Sequence, residues 1–365
     1  MTKTIVKHIL KQGFRILSWV LYLLTLVTAY GGYFNPDWWT LPAIGVLFFP
    51  YFAMATLVVS AVWLFARKFI IGSIGIGVLM ACGPTFSAAL PLRFENSPGN
   101  KSRTFKMVTY NCLHLTDLQN PDAKLNRSLH FLIHSGADFI CLQELYDFKN
   151  PTLYAKYPAQ IDSLLKIYPY YSTDNKREVE FASKYPFEQL TVKLPDGLKY
   201  GSVTAYRLEI DRQPLTVVNV HLSSYQLSEQ ERNIITEAKS KQGLKASLRE
   251  FEGSVYQKMK SAFSMRAKVS KAVAEYADSL PGNVIICGDF NDVPGSWTYR
   301  NFTKRGFEDA YAQTGFGHLI TYNEHLMYFH IDQILYKGDL VPLRVKKERI
   351  NTSDHYPLLA EFEFM

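Results

Sequence analysis

The chain has 365 residues, 47% of them hydrophobic and 20% charged, which excludes an intrinsically disordered protein and leaves room for more than one folded unit. Its net charge of +7 says little about nucleic acid: residues 1–90 hold six of the 40 Lys/Arg and one of the 33 Asp/Glu, so the rest carries 34 basic against 32 acidic residues. Four cysteines make no disulfide framework, and no CxxC spacing supports zinc.

Three apolar stretches open the chain, at about 16–34, 41–65 and 69–90, and none contains Asp, Glu, Lys or Arg. Each is long enough to span a bilayer, and a signal peptide would explain only the first. Residues 1–92 therefore read as a transmembrane region of three helices. Lys3, Lys7, Lys11 and Arg15 precede the first stretch, and Arg67-Lys68 lies between the second and third. The positive-inside rule places those residues in the cytoplasm. Three spans then put the rest of the chain on the non-cytoplasmic side of the inner membrane, although Arg93, Lys101 and Arg103 run against this. Trp38 and Trp39 suit an interfacial belt, and Ser73 and Gly77 form a small-xxx-small pair.

Residues 93–103 read as a linker, and 104–365 as one catalytic domain. Short β-type runs fall at 104–110, 138–143, 202–210, 214–221, 283–288, 331–336 and 356–363. Helical patterns fall at about 123–135, 159–167 and 255–280. Strands apolar on both faces, mixed with helices, predict sheets covered by helices. Residues 223–262 form a polar, helix-prone insertion that is either a solvated excursion or a lid, since it follows His221. Cys112, Cys141 and Cys287 read as small buried side chains.

Polar residues stand at the ends of the apolar strands. Asn111 ends Phe105–Tyr110, Glu144 follows Phe139–Gln143, and His221 ends Leu215–Val220. Gly288-Asp289-Phe290-Asn291-Asp292 follows Val284–Cys287, Asp332 sits in His330–Leu335, and Ser353-Asp354-His355 precedes the last strand. Acids, amides and histidines gathered at strand ends suit phosphate-ester hydrolysis, which needs a hard cation, a positioned water and groups that tolerate a charge-rich transition state. His130 and His134, one helical turn apart, read as a solvated face rather than a metal pair.

The ordered motifs TYN, CLQE, VNVHL, GDFND, HIDQIL and SDHYP, over roughly 104–365, resemble the endonuclease/exonuclease/phosphatase superfamily with its deoxyribonuclease I-like fold. The resemblance implies an α/β protein, a four-layer sandwich of two packed mixed β-sheets flanked by helices. It implies Mg²⁺- or Mn²⁺-dependent cleavage of phosphate esters at one end of the sheets. Glu144 resembles the principal metal ligand, with Asp354 and Asn111 completing the metal surroundings. Asp289 resembles the group that orients or deprotonates the attacking water, and Asn291 supports it and can donate to a phosphoryl oxygen. His221 resembles the residue that stabilises the transition state or serves as acid. His355 contacts phosphate or exchanges a proton, with Asp332 holding its ring. Whether Asp289 or His355 is the base stays open. Arg266 resembles an Arg found before GDFN in many members, with a surface or structural role as the plainer reading. His330 stands where the family often has Arg, which weakens a phosphate-binding role at that position.

The resulting expectation is a membrane-anchored, metal-dependent phosphoesterase that hydrolyses phosphodiester bonds by in-line attack of water. The partners implied are the bilayer and a phosphoester substrate, nucleic acid or a lipid head group. A sphingomyelinase-like or phosphoinositide phosphatase activity is the alternative. A nearly neutral domain disfavours tight duplex binding, and anchoring favours a phospholipid or sphingolipid. A catalytically silent membrane scaffold is the third reading, and the intact residue set speaks against it.

Overall fold

The computed structural model describes residues 3–99, 103–145, 147–172, 178–192, 194, 201–225, 255–324 and 327–365. Five helices open it: α1 (Lys3–Tyr30), α2 (Thr40–Leu47), α3 (Phe49–Phe65), α4 (Phe69–Ala81) and α5 (Gly83–Ala89). One continuous helical stretch, Ile5–Tyr33, is long and apolar enough to cross a membrane. The other two expected spans are bent: α2 meets α3 at 59°, and α4 meets α5 at 76°. The expectation of three unbroken spans is corrected to one continuous helix and two broken ones. Proline is the physical cause. Pro50 and Pro84 stand in the first turns of α3 and α5. Each lacks the N–H that would continue the ladder, and its ring clashes with the carbonyl four residues back.

α1, α3 and α4 pack into a bundle through small and hydroxylated residues. Trp63 Nε1 donates to Ser18 Oγ at 2.9 Å, and the Thr25 and Thr56 hydroxyls meet at 2.7 Å. Gly75 lets α4 approach: a Cβ there would lie 2.0 Å from Ser60 Oγ. Ser73 and Gly77 point outward instead, so the small-residue pair read from the sequence is not the packing seam.

The rest forms two mixed sheets. One contains β1 (Thr104–Asn111), β2 (Phe139–Gln143), β3 (Tyr170–Tyr171), β4 (Val179–Ser183), β13 (Leu340–Lys347) and β14 (Leu358–Phe364), in the order β13-β14-β1-β2-β4-β3. The other contains β5 (Phe187–Leu190), β6 (Gly201–Ile210), β7 (Gln213–Leu222), β8 (Asn283–Asp289), β9 (Glu308–Asp309) and β12 (Asp332–Lys337), in the order β5-β6-β7-β8-β12-β9. A hairpin of β10 (Tyr322–Glu324) and β11 (Met327–Phe329) stands beside them. Each six-stranded sheet has one parallel pair at its centre, β1 with β2 and β7 with β8. Strands that run the same way deliver their carboxyl ends to the same edge, which is where a site can be assembled.

Three apolar layers hold the sheets and helices together. Phe105, Phe139 and Phe181 of one sheet pack on Tyr206, Val217 and Ile285 of the other. The outer face of the first sheet is covered by α6 (Arg127–His134), α7 (Pro151–Lys156) and α8 (Pro158–Ile167), through Leu129, Leu132, Leu153, Ile161 and Leu164. The outer face of the second is covered by α9 (Tyr256–Asp278) and α10 (Trp297–Thr303), through Val269, Val273 and Phe302. The layers thus run helix, sheet, sheet, helix. Of the expected insertion at 223–262, residues 226–254 lie outside the described residues, and the helix that follows begins at Tyr256.

The bundle is joined to this domain over a broad contact. Ala43, Val46 and Leu47 of α2 pack on Val255, Met259, Phe263, Val293 and Ile331. Arg300 stacks over the Tyr33 ring, 3.6 Å from its centroid, and also donates to Thr85 Oγ1 at 3.0 Å. Residues following α5 run along the domain, with Arg93 N donating to Gly315 O and Asn96 N to Leu343 O.

Candidate active site

The parallel pairs bring both sheets' functional residues to one end. In the second sheet His221 is in register with Asp289, and Asp289 is in register with Asp332, so three polar side chains cross β7, β8 and β12 in a row. In the first sheet Asn111 ends β1, Glu144 follows β2, and the Ser353-Asp354-His355 turn leads into β14. Backbone conformation at three of these positions is unusual. Glu144 has φ 54° and Asn291 φ 50°, a left-handed conformation that costs a non-glycine residue about 1–3 kcal/mol and persists where the surroundings impose it. Gly288 has φ 136°, and a Cβ on it would lie 1.9 Å from Val220 O, so only glycine allows β7 and β8 to approach ahead of Asp289.

Asp289 Oδ2 is the hub. Asn111 Nδ2 donates to it at 3.1 Å and to Glu144 Oε1 at 2.9 Å, which ties the two sheets together. Asn291 donates its backbone N–H to Asp289 Oδ1 at 2.8 Å, and its Nδ2 to Oδ2 at 3.1 Å and to Leu222 O at 2.8 Å. The Nε2 atoms of His221 and His355 each lie 3.7 Å from the same Oδ2. His221 Nε2 is also 3.7 Å from Glu144 Oε1, and its Nδ1 is 3.7 Å from Glu178 Oε2. His355 Nδ1 meets Asp332 Oδ2 at 2.8 Å. A carboxylate only accepts, so Nδ1 is the donor and Nε2 faces the hub.

Burial raises the Asp289 carboxyl above its usual range, opposed by the neighbouring His355 and His221. For His355, burial disfavours the imidazolium, but the Asp332 and Asp289 carboxylates outweigh it and raise the ring to about 10. Burial likewise raises Asp292, opposed by Arg266, whose Nε is 3.8 Å away.

These groups open into a cavity of about 110 Å³. Glu144, Asp289, Asn291, Asp354 and His355 line its polar side, and among the described residues no Lys or Arg lines it. The donor chemistry fits a hard divalent cation: Glu144 and Asp354 present carboxylates, and Mg²⁺ commonly takes only one or two of these besides water and phosphate oxygens. Asn111 is placed differently from a direct ligand. Its amide faces two carboxylates, so it orients Glu144. Asp289, Asp332 and His355 also offer donor atoms within 4.8 Å of one another. Their shortest contact is the Asp332–His355 hydrogen bond, and this trio reads better as a proton-handling dyad beside an acid.

All eight residues singled out from the sequence are brought together: Asn111, Glu144, His221, Asp289, Asn291, Asp332, Asp354 and His355. Four other residues weighed from the sequence are not. Arg266 is fully buried, donates to Ser223 O at 2.8 Å, and lies 4.4 and 4.5 Å from the Tyr225 and Phe263 ring centroids. It holds the turn after His221 and does not face the cavity. His330 is buried against the Tyr311 ring, and burial pushes it down to about 3. His130 and His134 stack on each other on the exposed side of α6.

Sequence reasoning missed the supports. Gln143 Nε2 donates to Asn219 Oδ1 at 2.7 Å, a buried polar bridge between the sheets below the site. Ser353 Oγ donates to Asn111 O at 3.0 Å and fixes the turn that carries Asp354 and His355. Leu47, Tyr225, Tyr322, Met327 and Phe329 form an apolar wall of the cavity. Gln143 and Asn219 lie inside the CLQE and VNVHL motifs and could have been suspected there. Nothing local marks Leu47 or Phe329.

Residues 11–88 match a family model described as a domain of unknown function (DUF8431). No curated protein matches the chain. Similar solved structures include the endonuclease/exonuclease/phosphatase from Beutenbergia cavernae, at 14% identity over 72% of each chain with a TM-score of 0.46. They also include D. rerio TDP2 complexed with a single-strand DNA product, at 16% identity over 71% of this chain and 99% of that one, TM-score 0.46. A mutant of Staphylococcus aureus beta toxin with bound magnesium ions is 16% identical over 70% and 98%, TM-score 0.43. The family assignment is carried by the sequence match: residues 108–355, more than half of the chain and spanning all eight site residues, match the Endonuclease/Exonuclease/phosphatase family model, and the chain belongs to that family.

Proposed function

We propose that the protein is a membrane-anchored, divalent-metal-dependent hydrolase of phosphodiesters. The observation that carries this reading is the Asp289 carboxylate, buried where the two sheets meet, with two amides and two imidazoles converging on one oxygen. Glu144 and Asp354 would hold Mg²⁺ or Mn²⁺, oriented by Asn111 and Ser353. When bound there, the cation would offset negative charge on the phosphoryl oxygens, a need that no Lys or Arg among the described lining residues meets.

The chain's own groups divide the proton work. Asp289 Oδ2 takes a proton from the attacking water, since the side-chain amides of Asn291 and Asn111 donate to it, and the Asn291 backbone N–H to Oδ1, and so hold the carboxylate as an acceptor. His355, held by Asp332, keeps a proton at Nε2 for a phosphoryl or leaving oxygen. His221 Nε2 donates to the phosphoryl group from the other side. Asn291 spends its N–H groups on Asp289 and Leu222, so it positions the base and does not touch phosphate.

Chelation tests the reading. Hydrolysis of bis(p-nitrophenyl) phosphate by the full chain in detergent should vanish with EDTA and return with Mg²⁺ or Mn²⁺. Glu144→Gln should raise the metal concentration needed for half-maximal rate by ~10-fold or more. Activity indifferent to both chelator and substitution would overturn the metal assignment.

The anchoring reading rests on α1 and the two bent pairs, with the N-terminus and Arg67-Lys68 in the cytoplasm and the catalytic domain outside. Reporter fusions after Arg67 and at the C-terminus should report opposite sides of the membrane; the same side for both would refute this topology. Residues 223–262 are proposed as an insertion in a domain of 104–365, joined to the spans by 93–103.

A further inference from the structure

The apolar wall of the active-site cavity is built partly from the membrane region. Leu47, the last residue of α2, lines the cavity opposite the acids. Phe48, at the bend, packs edge-on against Phe329 of the hairpin, with ring centroids 6.3 Å apart. Tyr51, in the first turn of α3, donates its hydroxyl to Tyr328 O at 2.5 Å. The bend that interrupts the second span is therefore the part of the chain that reaches the cavity.

From that point an exposed apolar stripe leaves the site. Phe48, Tyr51, Met54, Val58, Val62 and Phe65 are all exposed, and their spacing of three and four places them on one face of α3. The opposite face carries Ala53, Thr56, Ser60 and Trp63 and is buried in the bundle. α3 is 17 residues long, about 26 Å by the helical rise, close to the thickness of a bilayer's hydrocarbon core. Exposed aromatics flank the bundle: Trp38 and Trp39 stand before α2, and Phe94, after α5, stacks on the exposed Phe316. The basic residues Arg67 and Lys68 sit at the other end of α3. Tryptophans at one end and cations at the other are how a helix is placed across a membrane. The cavity mouth then lies at the interface.

We infer that the substrate is a phosphodiester lipid of the same bilayer, its head group entering the cavity past Leu47 and Phe329 and its acyl chains lying along the exposed face of α3. This rests on the phosphodiesterase reading above and adds the substrate class and its route. The nearly neutral charge of residues 91–365 agrees, because a nucleic-acid backbone would be tracked by a basic surface.

The test uses the full chain reconstituted in vesicles of dioleoyl phosphatidylcholine, phosphatidylethanolamine and phosphatidylglycerol. Head-group release is compared with that from the water-soluble dibutyryl forms, from a single-stranded DNA oligonucleotide, and from bis(p-nitrophenyl) phosphate. Confinement to one membrane raises effective concentration, so at least one dioleoyl lipid should be hydrolysed ~10-fold or more faster than its dibutyryl form at equal bulk concentration. The double substitution Met54→Gln with Val58→Gln should lower the ratio of lipid to bis(p-nitrophenyl) phosphate hydrolysis by ~5-fold or more. Equal rates for long and short chains, faster cutting of DNA, or a ratio unmoved by the double substitution overturns the lipid assignment while bis(p-nitrophenyl) phosphate is still cleaved. Loss of EDTA-sensitive cleavage of every phosphodiester, bis(p-nitrophenyl) phosphate included, overturns the parent reading as well.

Discussion

Asp332→Asn isolates the contribution of a group that touches no substrate. Asp332 Oδ2 accepts from His355 Nδ1 at 2.8 Å, both residues are buried, and Asp332 faces Asp289 across β8 and β12. An amide keeps the volume, so the strand pairing survives, but it removes the charge that orients the ring and favours its protonated form. A hydrogen bond to a charged group contributes about 1.5–3 kcal/mol, so losing it should lower kcat by ~10- to 150-fold. KM for bis(p-nitrophenyl) phosphate should change by less than ~3-fold, because Asp332 binds neither phosphate nor cation. A second readout separates positioning from bulk damage. Against the effect of burial, Asp332 holds the His355 ring up, so the alkaline limb of the pH–rate profile should move to lower pH in the variant. Measurement of kcat and KM from pH 4 to 9 with saturating Mg²⁺, alongside Tm, is sufficient. A kcat within ~3-fold of wild type, with an unmoved alkaline limb, would refute the Asp332–His355 pairing.

Gly288→Ala should lower Tm even though it adds one methyl group. The new Cβ would sit 1.9 Å from Val220 O at φ 136°, an outcome worth ~1–3 kcal/mol or more; an unchanged Tm would mean that β7 and β8 can part freely. His330 should make stability depend on pH. Its folded value of about 3 lies below the ordinary 6.5, so the folded state binds fewer protons, and its contribution is full above pH 6.5 and lost as pH falls toward 3. Thermal shifts of wild type against His330→Gln should therefore diverge below pH 6.5, with a difference in slope of up to about 1.4 kcal/mol per pH unit. Parallel curves between pH 4.5 and 6.5 would show that His330 takes up a proton without unfolding.

The candidate site was legible because each of its residues ends an apolar strand, and strand ends are visible in a linear pattern. β8 is Asn283–Asp289, an almost unbroken apolar run that stops at the acid. Other parts were hidden for local reasons. β4 carries Glu180, fully buried and accepting from Ser172 Oγ at 2.5 Å, so its charge disguises a central strand. The hairpin Tyr322–Phe329 has strands of three residues each, too short to show a period. The bends at Pro50 and Pro84 left hydropathy unchanged, so composition showed spans where the backbone breaks. Arg266 read as a family-like Arg with a surface or structural role as the plainer alternative, and only the fold shows that it pins Ser223 and Tyr225.

Sequence by itself determined the division at about residue 92, the alternation of strands and helices, and the identity of the eight polar residues at strand ends. These follow from local patterning, which a single chain displays directly. Tertiary structure alone decided which oxygen those residues share. Asp289 Oδ2 becomes the hub because two parallel pairs, one in each sheet, deliver Asn111 and Glu144 from one side and His221 from the other. It also decided that Leu47, read as part of a membrane span, forms a wall of the cavity, and that Phe48 packs on Phe329 of that wall. Packing between residues nearly 300 positions apart leaves no trace in local periodicity, so the meeting of the bent helix and the hairpin appears only in the folded chain.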